Sequence, residues 1–73
     1  MSLGTRIASM RGYRRLNQDQ LGGFVGVTKQ TISGWERDRR LPDAGDIKKL
    51  CKALDCSADY LLELSDDFGG HAE

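Results

Sequence analysis

No long apolar run occurs in these 73 residues, which excludes a membrane-spanning helix, and no basic leader with a hydrophobic segment and cleavage site is present. The protein is expected in the cytoplasm. Cysteine is scarce: Cys51 and Cys56 are too few for a disulfide framework and have no histidine partners at metal spacing. Both are expected as packing residues, and no metal or other cofactor is implied. The single histidine, His71, lies in an acidic, glycine-containing tail. With no paired-carboxylate cleft and no nucleophile elbow either, an enzyme is the least favoured class. Net charge is lacking too, since 11 Lys or Arg balance 11 Asp or Glu.

Zero net charge argues at first sight against a nucleic-acid partner, but its distribution argues the other way. Residues 1–42 hold eight Lys or Arg against three Asp or Glu, a charge of +5, and residues 43–73 hold three against eight, a charge of −5. Such segregation steers one face towards phosphate and leaves the far face soluble. A chain this short is one domain with one small core, which supplies no more than about 3–5 kcal/mol.

The most informative stretch runs from Gln18 to Arg37, QDQLGGFVGVTKQTISGWER. Leu21 and Val25 stand one turn apart in its first half and Ile32 and Trp35 in its second, so two short helices share an inward side. Gly26 sits where the first must stop, at a position whose left-handed backbone glycine takes without strain. Val27 covers the corner, Thr28 offers a hydroxyl N-cap to the second helix, and Gly22 lets that helix cross closely. With Ile32, Trp35 and Glu36 turned inward, the 3.6-residue period leaves Lys29, Gln30, Ser33, Gly34 and Arg37 outward. That face carries donors and little bulk, which suits the major groove: Gln binds adenine bidentately and Lys reaches guanine O6 and N7.

The flanking segments read as support. Residues 1–4 are expected to be flexible, with Met1, Ser2 and Leu3 an expression remnant, and Thr5 caps a first helix from about Arg6 to Arg14. Ile7, Met10 and Arg11 share one face of it. An arginine on an apolar stripe needs a carboxylate or an escape to water, and Glu36 is the available partner. Asn17 and Gln20 form a capping box that leaves Gln18 beside free backbone N–H groups, a phosphate clamp. Phe24 falls at the margin of the buried stripe and is compatible with a core edge or a contact surface. Arg37, Arg39 and Arg40 lie in a basic connection ended by Pro42, placed to touch the phosphate backbone.

Asp43 caps a fourth helix carrying Ile47, Leu50, Cys51 and Leu54 at i, i+3, i+4 and i+7. Ser57 caps a short fifth helix with Tyr60, Leu61, Leu62 and Leu64, more apolar surface than one face needs. The expected architecture is an all-α, compact bundle of about five short helices containing a helix-turn-helix over residues 5–64, with 1–4 and 65–73 as flexible termini. Its core is Ile7, Leu21, Val25, Val27, Ile32, Trp35, Ile47, Leu50, Cys51, Leu54 and Leu61.

Arg11, LNQDQLG, GVTKQTISGWER, the basic loop with LPD, IKKLCKALDCS and the terminal YLL together resemble the Cro and phage-repressor family of helix-turn-helix DNA-binding domains. The resemblance covers about residues 5–64. It implies a sequence-specific regulator, a repressor in character, that inserts residues 28–37 in the major groove of an operator and dimerises through the end of its fifth helix. It also implies a buried Arg11–Glu36 pair, base-facing positions at Lys29, Gln30, Ser33 and Gly34, backbone contacts from Gln18, Thr28, Arg37, Arg39 and Arg40, and a dimer contact at Leu61, Leu62 and Leu64. Arg15, Asp38 and Asp55 depart from the family, standing at helix ends where Gly or Asn is frequent. Gly34 departs as well, having no side chain to read a base. The competing class is a protein-interaction module such as the antitoxin of a toxin pair, with Phe24 and Leu61 to Leu64 as its surface. No small-molecule ligand or membrane partner is implied.

Overall fold

Each helix begins beside a residue whose side-chain oxygen accepts a hydrogen bond from a first-turn N–H: Ser2, Asn17, Thr28, Asp43 and Ser57. The computed structural model describes residues 2–69, and among these it forms α1 (Leu3–Tyr13), α2 (Gln18–Val25), α3 (Lys29–Glu36), α4 (Ala44–Leu54) and α5 (Ala58–Leu61), with no strand. Helices α1 and α2 both pack on α3, α4 closes over α2, and α5 fits between α1 and α4. None of these helices is long and apolar enough to cross a membrane.

Ile7, Leu21, Ile32, Leu50, Leu54 and Leu61 are fully excluded from solvent, with Val25, Trp35 and Ile47 beside them. Two members of the expected core are displaced. Val27 sits outside the helices, on the corner after Gly26, and Cys51 lies at the edge of the α4 stripe; both are only half-buried. Met10 and Cys56 are buried in addition.

Helix α1 starts earlier than the sequence suggests. Thr5 is not the cap but the third helical residue of a reciprocal box with Ser2. From the far side, Asp38 accepts bonds from the Gly4 N–H (3.0 Å) and the Ser2 hydroxyl (2.6 Å). Gly4 is required there, because a Cβ would lie 2.4 Å from the Trp35 carbonyl oxygen. Residues 2–4, expected as part of a flexible leader, are thus bound into the bundle. The other terminus behaves similarly: Phe68 meets the rings of Tyr13 and Tyr60 edge-on at 5.4 and 6.1 Å, and its carbonyl accepts from the Ser57 N–H at 2.8 Å. Met1 and residues 70–73, His71 included, lie outside the described residues.

The helix ends explain the odd residues noted in the sequence. Arg15, Asp38 and Asp55 take left-handed backbones with φ of 60°, 58° and 52°, and Glu63, which no sequence signal marked, joins them at 66°. Such conformations are uncommon for residues with a Cβ and hold only where the surroundings fix them. At Asp38 those surroundings are the two bonds to the start of α1.

Candidate nucleic-acid interface

The α2–α3 corner is set by two glycines. A Cβ on Gly22 would lie 2.6 Å from the Val27 carbonyl oxygen, so only glycine allows α3 to begin so close to α2. Gly26 takes φ +84°, and its N–H and that of Val27 both donate to the Gly22 carbonyl, at 2.7 and 2.9 Å. Thr28 then caps α3 by accepting from the Thr31 N–H.

With Ile32 and Trp35 buried, α3 leaves Lys29 and Gln30 exposed; Ser33 and Gly34 share that side but are half-covered. One open concavity beside this face is lined by Arg11, Asn17, Gln18, Asp19 and Lys29. A second, on the other flank, is lined by Gln30, Ser33, Gly34, Arg37, Arg39 and Arg40. The second exists because the basic connection doubles back: the Arg39 and Arg40 N–H groups both donate to the Gly34 carbonyl, at 2.9 and 3.3 Å. Among the described residues no carboxylate pairs with Lys29, Arg37, Arg39 or Arg40.

Behind α3, Glu36 accepts from Arg11 Nε at 2.7 Å and from Arg11 Nη2 at 3.1 Å. This bidentate bond raises the Arg11 pKa, outweighing partial burial, and the guanidinium stays charged. Arg11 Nη1 also donates to the Leu16 carbonyl at 3.0 Å, holding the loop into α2. Gln18 is part of the same network, since its amide donates to Glu36 Oε1 at 3.0 Å. The side chain expected to be free for a ligand is therefore oriented by the pair behind it.

At the opposite end of the bundle one expectation fails. Leu61 is 0% exposed and fills the chain's own core, so it cannot meet a second chain; Leu62 and Leu64, at 46% and 73%, are the exposed members. Phe24 resolves as surface, 66% exposed. The residue that sequence reasoning missed is Arg6, buried between α5 and the tail. It donates to the Tyr60 and Ser65 carbonyls, pairs with Asp66 at 3.1 Å and stacks 4.4 Å over the Tyr60 ring. Its place one turn before Met10 on the inward stripe of α1 was the available signal.

A sequence model of the helix-turn-helix family matches residues 7–61. The chain belongs to the helix-turn-helix family. Repressor protein C2 of Salmonella phage P22 is 43% identical to it over 61 residues, which make up 84% of this chain and 28% of that protein. An uncharacterized HTH-type transcriptional regulator of Bacillus subtilis, YobD, is 31% identical over 62 residues, covering 85% of this chain and 55% of the regulator. The helix-turn-helix chain thus spans about a quarter of the first relative and about half of the second.

Among solved structures, the P22 c2 repressor in complex with a synthetic operator superposes with a TM-score of 0.85 at 40% identity, over 89% of this chain and 98% of that one. The biofilm regulator SinR in complex with DNA does so with a TM-score of 0.75 at 30% identity, over 81% and 98%. The helix-turn-helix assignment and the likeness to phage repressors, inferred above from the motifs, are both met by these comparisons.

Proposed function

We propose that this chain is the DNA-binding domain of a transcriptional regulator of repressor type, reading a double-stranded operator with α3 in the major groove. The observation that carries the proposal is the outward side of α3: Lys29 and Gln30 stand free in its first turn between two concavities edged by Gln18 and by Arg37, Arg39 and Arg40. A helix with donors in its first turn and exposed arginines alongside matches base readout flanked by phosphate contacts. Lys29, Gln30 and Ser33 reach base edges, while Gln18, Thr28, Arg37 and Arg39 hold the backbone. Relatives found in complex with DNA, one of them with a synthetic operator, support this reading over the protein-interaction alternative.

Two half-sites separated by about 34 Å call for a two-fold partner. In this proposal the dimer contact is built on Leu62 and Leu64, with Leu61 serving as the core beneath them. Selection of bound duplexes from a random pool tests the function: the proposal expects enrichment of one pseudo-palindromic sequence, and equal retention of all duplexes contradicts it.

A further inference from the structure

Gly34 lies one turn beyond Gln30 on the outward side of α3, where the next base-reading side chain would start. It supplies none. Its place is nevertheless filled, because a Cβ built on Gly34 would lie 3.2 Å from Cδ, 3.4 Å from Cγ and 3.8 Å from Cβ of Arg40. The Arg40 stem therefore lies along α3 over the bare glycine, and the loop is fixed in that pose by the two N–H bonds to the Gly34 carbonyl. Arg40 also borders the concavity that Gln30 and Ser33 line.

We infer that Arg40 is a specificity-determining residue: its guanidinium, carried over Gly34 onto the recognition face, reads a guanine next to the base pair met by Gln30. The inference rests on the DNA-reading assignment above, and it departs from the sequence expectation that Arg40 touches only the backbone. The planar guanidinium fork matches guanine O6 and N7 bidentately. A stem already packed on the helix loses less freedom on binding than a loop arginine in water. Arg39 borders the same concavity, but the three atoms nearest a Gly34 Cβ all belong to Arg40, and Arg39 is kept as the phosphate contact. Gly34 is then the residue that makes room for a reader delivered from the loop.

The experiment is selection from a random duplex pool with wild type, Arg40→Ala, Arg40→Lys and Gly34→Ala, each first shown folded by circular dichroism. Wild type should prefer G·C at one position of each half-site. Arg40→Ala should lose that preference, by about ten-fold or more, and keep the others. Arg40→Lys, which keeps the charge but not the fork, should lose part of it. Gly34→Ala, which pushes the stem aside, should weaken the same position. An Arg40→Ala protein with an unchanged base profile and uniformly weaker binding overturns the inference and returns Arg40 to the backbone. Wild type enriching no sequence is a separate result: it overturns the DNA-reading assignment and this inference with it.

Discussion

Arg11 and Glu36 join α1 to α3 through two hydrogen bonds of 2.7 and 3.1 Å, with the carboxylate side chain 8% exposed and the guanidinium side chain 22%. A pair so placed stands between surface ion pairs, worth about 0–1 kcal/mol, and buried ones, whose breakage costs about 3–5 kcal/mol. Arg11→Met should lower the unfolding free energy by about 2–3 kcal/mol, because it strands the carboxylate with Gln18 as its remaining side-chain partner. Urea unfolding checks this. A change below about 0.5 kcal/mol, the range of ordinary surface substitutions, would mean that water already screens the pair.

Gly22 and Gly23 are neighbours in α2 with opposite expected responses to alanine. A Cβ on Gly22 meets the Val27 carbonyl at 2.6 Å, so Gly22→Ala must push α3 away from α2 at a cost of about 1–3 kcal/mol. A Cβ on Gly23 meets nothing within 4 Å. Gly23→Ala should stabilise the domain by about 0.5–1 kcal/mol, the helix preference for Ala over Gly. Thermal melts of the two variants should move in opposite directions from wild type, and a shift of the same sign in both would refute the close approach at Gly22.

Cys56 gives the fold an alkaline limit. Burial, with Cys51 beside it, pushes its thiol pKa up from 9.0 to about 12. Between those values the unfolded chain has lost the proton and the folded chain keeps it, so the contribution is intact below pH 9 and is lost as pH rises towards 12. Stability should fall in that window with a contribution of up to about 1.4 kcal/mol per pH unit from this one group. Cys56→Ala should make the fall shallower in urea titrations at pH 8 to 10.5, and an identical slope in both proteins would contradict the assignment.

Helix starts, the inward faces and the α2–α3 corner were legible because each has a local cause. Asn17, Thr28, Asp43 and Ser57 cap through their own side chains, and Gly26 takes the one backbone its position allows. What was not legible depends on partners distant in the chain. Ser2 caps α1 through a box with Thr5, but what binds that first turn to the bundle is Asp38, 36 residues away from Ser2. Arg6 is buried because the Tyr60 and Ser65 carbonyls come to it; its place on the inward stripe of α1 marks the side it faces, but nothing within α1 announces acceptors from α5 and the segment after it. Leu61 was ambiguous for another reason. Four apolar residues within five positions cannot all face one way, and periodicity alone does not say which one the core takes.

The central claim is that Lys29 and Gln30 of α3 read sequence while Arg37 and Arg39 hold the duplex, and a salt series with two variants tests it most directly. Affinities of Gln30→Ala and Arg39→Ala would be measured on the selected operator and on a scrambled duplex. Gln30→Ala should lose about 1–3 kcal/mol on the operator and almost nothing on the scrambled duplex, because only a matched base loses a bidentate partner. Arg39→Ala should weaken both alike and lower the slope of log affinity against log salt by about one, since one fewer counterion is released. If Gln30→Ala instead weakens both duplexes equally, or Arg39→Ala affects the operator alone, the roles assigned to helix and loop are contradicted.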